Sequence, residues 1–456
     1  MLNRRHLLQS GAAFSAASLA RAVGPFPPFT GSESSFTDEK TLVCLFFAGG
    51  LDSYNLLVPT GTEYGTYATS RSDLALAQNT LLPLTGIDFG LHENCPEMQA
   101  MFNAGKLSFL SNVGTLASVT TAADVIAGTS SSLPFALASH FDQARQWETS
   151  LPRGSTSAGA VKGWAGRLSD VINSQNNPFG NNASASMNIS LAGNNLFQVG
   201  DDTSPLVHQP GGTLGLFTDN RTPQNVKNDL HEAIMGQTYR HAVQENFARI
   251  SERSIAQQAA VKSALDSFDE SQFNGQGNFA GSIGAQLKDA VKLIAARRSL
   301  GLNRQTIFIR SGGWDMHGGL LEPFAGKIRQ VSQAIAAFQN TLDSLGLANS
   351  VVSFSASDFA RTLRSNGRGS DHAWGGPQFV FGGPVDGGKL FGDFPDLTLG
   401  SSDDIGRGGR IVPTIATDEY FRPLIEWFGV SNQARIDAVL PNLSNFNGRA
   451  VPQFIA

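Results

Sequence analysis

Hydrophobic positions along this chain follow two rhythms. Short apolar β-type runs at Leu42–Phe47, Thr306–Arg310 and Val351–Phe354, with a further strand at Leu107–Val113, are the pattern of an open α/β sheet. Elsewhere the apolar residues step by three and four. Ile283, Leu287, Val291 and Ile294 form one such stripe; Phe324, Ile328, Val331, Ile335, Phe338, Leu342 and Leu345 form another that stops at Gly346. Both predict amphipathic helices, the second closed by a glycine C-cap. Strand, helix, strand from Thr306 to Phe354 is one βαβ unit, so its strands should be parallel and should end on the same sheet edge.

Shorter signals fill in the rest. Pro96–Ala104 predicts a helix stopped by Gly105, Ser139–Glu148 a helix with Ser139 as N-cap, and Tyr420–Phe428 a closing aromatic helix. Residues 228–268, with scattered alanines and alternating charge, predict an inserted helical hairpin. Asn173–Ala185 predicts a loop before a strand at Asn188–Ala192, and the Gly/Asp-rich section Gly367–Gly409 predicts irregular chain. The class is α/β, as one large domain with insertions or as two domains.

The N-terminus reads differently. Asn3-Arg4-Arg5-His6-Leu7-Leu8, then small and apolar residues to Leu19, then Ala20-Arg21-Ala22, predict a twin-arginine export signal over residues 1–22 with an A-x-A cleavage site. That route implies the twin-arginine translocase as a partner, a periplasmic or extracellular destination, and a protein able to load a metal before it crosses. No later stretch approaches the ~20 apolar residues of a membrane span, so none is expected in the mature chain. Residues 23–40 read as a linker. Removing residues 1–22 takes away three arginines and no acid, moving the net charge from −5 to −8. A mildly acidic surface argues against nucleic acid as a partner. Cys44 and Cys95 are the two cysteines, and an oxidising destination leaves a disulfide between them open.

Candidate chemistry collects after three of the strands. Gly49, Gly50 and Asp52 follow the first; Gly312, Gly313 and Asp315 follow the third; Ser357 and Asp358 follow the fourth. Open α/β sheets bind ligands beyond the carboxyl ends of their strands. Asp52, Asp315 and Asp358, with His317 and His372 close behind, make a metal-type donor set, zinc being the preferred reading and manganese, magnesium or calcium the others. Asp371 either orients the His372 ring or replaces it as ligand. Arg361 and Arg145 are candidate anion binders, because guanidinium forks match phosphate or sulfate.

Gly49-Gly50-Leu51-Asp52-Ser53-Tyr54-Asn55, Ser139-His140-Phe141, Gly313-Trp314-Asp315-Met316-His317, Ser357-Asp358-Phe359-Ala360-Arg361-Thr362 and Asp371-His372-Ala373-Trp374-Gly375-Gly376, in this order, resemble the domain of unknown function 1501 family. That family is grouped with the alkaline phosphatase-like superfamily, and the resemblance runs from about Thr41 to Phe446. It implies a three-layer α/β/α, doubly wound, mostly parallel sheet of the alkaline phosphatase-like type. A helical insertion at about 225–275 and a tail at 447–456 would complete it.

The same resemblance implies two adjacent metal ions and a hydroxyl nucleophile. On that plan Asp52 holds the metal beside the nucleophile, and Ser139 takes the nucleophile's place in the order. His140 beside it is an alternative ligand. Asp315 and His317 are the pair on the other metal, and His372 is the last histidine ligand. Asp358 is the aspartate of an Asp-His pair whose histidine is here Phe359. Asp315 and His317 are also closer than usual, with one residue between them instead of three. Because phenylalanine cannot ligate, one tightly bound ion is expected and a second only weakly. The run His140-Phe141-Asp142-Gln143 after Ser139 lacks the maturation motif of a formylglycine sulfatase. The implied activity is metal-dependent hydrolysis of phosphate or related esters, small or polymeric. The alternative is a non-catalytic scaffold or surface-assembly protein that keeps the fold.

Overall fold

The computed structural model describes residues 36–128, 133–153, 161–173, 176, 185–210, 224–406 and 408–456. The expected export signal, the linker up to residue 35 and most of the loop Asn173–Ala185 lie outside them. No helix among the described residues is long and apolar enough to cross a membrane.

The described strands are β1 (Lys40–Phe47), β2 (Leu57–Pro59), β3 (Leu82–Pro83), β4 (Phe89–Leu91), β5 (Leu107–Gly114), β6 (Asn188–Ser190), β7 (Leu206–Val207), β8 (Arg304–Ser311), β9 (Val351–Ser357), β10 (Gly376–Gly382), β11 (Leu390–Phe391) and β12 (Ile415–Ala416). β2, β4 and β3 form a small antiparallel sheet. The others form one sheet in the order β11-β5-β10-β9-β1-β8-β6-β7, with β12 on β5. β1 lies between β8 and β9 and is parallel to both, with Phe47 in register with Ser311 and with Ser357. The three strands therefore finish flush, and the turn after each is delivered to one edge. β10 runs antiparallel to β9 and β5, so its first residue, Gly376, meets that same edge from the opposite direction.

Both faces of the sheet are covered, which is why β1 and β9 are apolar and small throughout rather than alternating. Cys44 and Phe46 face the helices His140–Thr149, Trp164–Ile172 and Thr417–Phe428 through a wall of Trp147, Trp164, Phe354 and Phe421. Trp164 and Phe421 stack at 4.5 Å. Phe47, pointing the other way, meets Trp314 edge-on at 5.5 Å, and the helix Leu321–Ser344 covers that face with its buried Phe324, Ile328, Val331, Ile335, Phe338 and Leu342. The helices Gln224–Met235 and Ala242–Asp266 form where the hairpin was expected.

One expectation needs correction. Gly367–Gly409 contains a central, fully buried strand, β10, hidden in sequence by the glycines and proline around it. The disulfide left open between Cys44 and Cys95 is absent: both are buried and free, and Cys44 is the small core residue its apolar strand implies.

Candidate metal centre

The turns after β1 and β8 pack directly on one another. Trp314 N–H donates to Ala48 O at 3.3 Å. Gly49, at φ +118°, passes so close that a Cβ there would lie 2.4 Å from Asp315 N, so this contact requires glycine. The result is a carboxylate, Asp315, held at the sheet edge with 43% of its side chain exposed.

Three imidazoles converge on it. His317 Nε2 lies 3.0 Å from Asp315 Oδ1, His372 Nε2 3.2 Å and His140 Nε2 3.4 Å. His317 Nε2 and His372 Nε2 are 2.9 Å apart. His140 begins the helix behind its cap, His317 ends the turn after β8, and His372 stands just before β10.

Each ring is fixed from behind by an oxygen. His140 Nδ1 meets Asp358 Oδ2 at 2.6 Å, His317 Nδ1 meets Asp371 Oδ1 at 3.0 Å, and His372 Nδ1 meets Ala138 O at 2.8 Å. These acceptors assign the proton to Nδ1 in all three rings, leaving the Nε2 lone pairs to point at the same place as the Asp315 oxygen. Arg361 Nη1 donates to the same Asp315 oxygen at 2.8 Å, and the facing imidazole nitrogens are left with lone pairs that a cation could fill. His140 Nε2 is buried with no hydrogen-bond partner, an expensive orphan unless something is bound there.

The donor set fits a divalent ion. Tetrahedral ligation at about 2.0–2.1 Å places ligand atoms roughly 3.3 Å apart; His317 Nε2, His372 Nε2 and Asp315 Oδ1 stand 2.9 to 3.2 Å from one another, and His140 Nε2 stands 3.4 Å from Asp315 Oδ1. One nitrogen each of His140 and His372 and one oxygen of Asp315 lie within 4.8 Å of one another. The charges agree. Burial works to raise the Asp315 carboxyl, but the Arg361 guanidinium, then His317 and His140, hold it down at about 2. The hydrogen bond that His140 donates to Asp358 raises His140, whereas burial lowers His372. The Asn366 amide, and behind it His317, lowers Asp371.

The backbone is bent to build this. Ala136 and Ala138 adopt φ +46° and +68°, a costly region for alanine that persists where surroundings impose it. Gln143 Oε1 accepts from Ala138 N at 2.6 Å, and the Ala138 carbonyl is thereby aimed at His372.

Other expected site residues lie elsewhere or do other work. Asp52 is buried and paired with Arg71 at 2.5 Å, at the end of the helix Tyr64–Arg71; it is outside the convergence. Asp358 Oδ2 accepts from Gly49 N–H at 2.9 Å and from His140 Nδ1 at 2.6 Å, which orients the His140 ring. Asp371 orients His317 and not His372. Ser139 is the N-cap: its hydroxyl donates to Asp142 Oδ2 at 2.6 Å and accepts from Asp142 N at 3.3 Å. Arg361 is no anion binder, because it is fully buried and its donors go to Asp315 at 2.8 Å, Gly49 O at 3.3 Å and Ser370. Phe359 packs 4.6 Å from both His140 and His372, bracing the two rings in place of a ligand. Arg71 and Ala138 were invisible in sequence; neither carries a spacing signal.

Comparison with known proteins agrees with the motifs. The profile of the DUF1501 family, described as a protein of unknown function, matches residues 39–406. The chain belongs to the DUF1501 family. No curated protein matches its sequence. Among solved structures the DUF1501 chain is similar to the integral membrane protein lipooligosaccharide phosphoethanolamine transferase A (EptA) from Neisseria meningitidis. Identity is 8%, TM-score 0.32, and the match covers 95% of this chain and 64% of that one.

Proposed function

We propose that this protein is an exported, metal-dependent hydrolase of phosphate or related esters. The observation that carries the reading is the convergence of three Nδ1-anchored imidazoles on Asp315. His140, His317, His372 and Asp315 would hold one divalent ion, zinc foremost. An ion there would supply Lewis-acid polarisation of an ester oxygen and activation of a water at neutral pH. The chain's own part is orientation: Asp358, Asp371 and Ala138 O fix the three rings, and Arg361 fixes Asp315. Exposure of Asp315 and His317 leaves a side open to substrate. Ser139, committed to its cap, is set aside as nucleophile. A second ion is not expected at Asp52, because Arg71 already neutralises it.

Elemental analysis of purified protein should give one divalent ion per chain, and a panel of phosphate and carboxylate esters should show chelator-sensitive turnover. Protein that takes up no zinc or manganese would end the metal reading. Metal-loaded protein inert to every ester would favour the alternative, a scaffold or assembly protein, which the exposed apolar residues of the hairpin also favour. Export belongs to the same proposal: replacing Arg4 and Arg5 by lysine should leave precursor in the cytoplasm.

A further inference from the structure

Large apolar side chains that stand exposed among the described residues are not scattered. Val119 and Ile126 lie in the stretch leading to His140; Phe135, Phe141 and Leu321 lie within five residues of His140 or His317; and every other one lies on the two hairpin helices. Single exposed apolar residues are ordinary, but grouped ones mark a binding surface.

The first four belong to a segment rooted beside His372. Trp374, two residues on, donates its indole N–H to Thr115 O at 2.7 Å. Leu116, Ala122 and Trp374 form a small core against which Val125, Leu133 and Leu137 also pack. Val119, Ile126 and Phe135 stand exposed on this anchored segment at 56%, 68% and 59%. Phe135 is held through its carbonyl, which accepts from Gln146 Nε2 at 2.6 Å. Three residues later Ala138 touches His372. Phe141, 65% exposed, follows the ligand His140 directly. The Arg145 guanidinium lies 5.2 Å from its ring, placing a cation on an apolar platform on the helix that His140 opens. Leu321 opens the helix after the His317 turn.

Resting on the metal-centre reading, we infer that the substrate is an anionic ester carrying a long aliphatic chain. Its head meets the ion and Arg145, and its chain lies over Phe135 and Phe141. Polar small-molecule esters would leave this rim uncovered.

The test uses zinc-loaded mature protein and n-alkylphosphonates of one, two, four, six and eight carbons, with binding measured by calorimetry. Affinity should rise about twofold per added carbon, roughly half the gain of full burial. In Phe135→Ser and Phe141→Ser the series should flatten, with zinc content unchanged. Phe247→Ser, on the hairpin, should keep the wild-type slope. A flat wild-type series with methylphosphonate still bound would overturn the rim and leave the metal centre standing. A slope that survives in the Phe135→Ser/Phe141→Ser double variant would overturn the placement. Failure to take up zinc would overturn the metal-centre reading, and the rim as a substrate site with it.

Discussion

Gly49-Gly50-Leu51-Asp52 and Gly312-Gly313-Trp314-Asp315 are the same local design on neighbouring parallel strands. Each ends a buried strand, buries its third residue and presents an aspartate with an arginine against it. Their fates diverge. Asp52 is 2% exposed and closed off with Arg71, which also donates to Thr362 O at 2.9 Å. Asp315 is 43% exposed and gathers three imidazoles besides Arg361. One aspartate is a clasp between distant segments and the other is the hub of a cluster of metal-type donors. The difference is supplied by partners far away in sequence, not by the motif.

The sharpest break of this comparison is Asp52→Ala, which strands a buried guanidinium and should cost about 3–5 kcal/mol in urea unfolding. Asp52→Leu with Arg71→Met should recover most of that loss. A stable Asp52→Ala that has lost metal would instead make Asp52 a ligand. His317→Ala or His372→Ala should do the reverse. Metal affinity should fall by more than about 100-fold, beyond the range of outer-sphere changes, while the apoprotein unfolds within roughly 1 kcal/mol of wild type. Asp358→Asn and Asp371→Asn should lie between, about 10–100-fold weaker in metal binding; competition with a chromophoric chelator measures both sets.

A third kind of buried acid tests the electrostatic side. Burial pushes Glu148, whose carboxylate accepts the Leu196 N–H at 3.3 Å, up to about 7, and pushes Asp418 up to about 6. Both hold protons in the folded chain that the unfolded chain, with ordinary carboxyls near about 4, has released. Their contribution is therefore complete at acid pH and is lost as pH rises from about 4 through 7. Glu148→Gln should make the fall in melting temperature across that interval shallower; an unchanged slope would mean Glu148 is not protonated there. The smallest effect is expected at Ser139. Ser139→Ala removes a cap worth about 1 kcal/mol and should leave metal content and any ester turnover intact, whereas a hydroxyl nucleophile would not permit that.

Much of this was legible along the chain. Periods of three and four placed the helices Gly281–Ala295 and Leu321–Ser344, and short apolar runs placed β1, β8 and β9, because burial on both faces favours such runs over strict alternation. Ser139 as a cap, and Asp315, His317 and His372 as metal-type residues, followed from local chemistry. Sequence alone thus determined the layers, the edge and the kinds of donor present. Only the tertiary structure decided which donors meet. β10 returns antiparallel and brings His372 to the edge, the strained Ala138 turns its carbonyl onto that ring, and His140 is swung inward by Asp358 from a strand more than two hundred residues away. Asp52 was removed from the set by Arg71, and Arg361 from the solvent by Asp315. The physical reason is that strand and helix periodicity is written in local sequence. A metal site is a meeting of lone pairs, set within tenths of an ångström by packing and hydrogen bonds between segments that share no local signal.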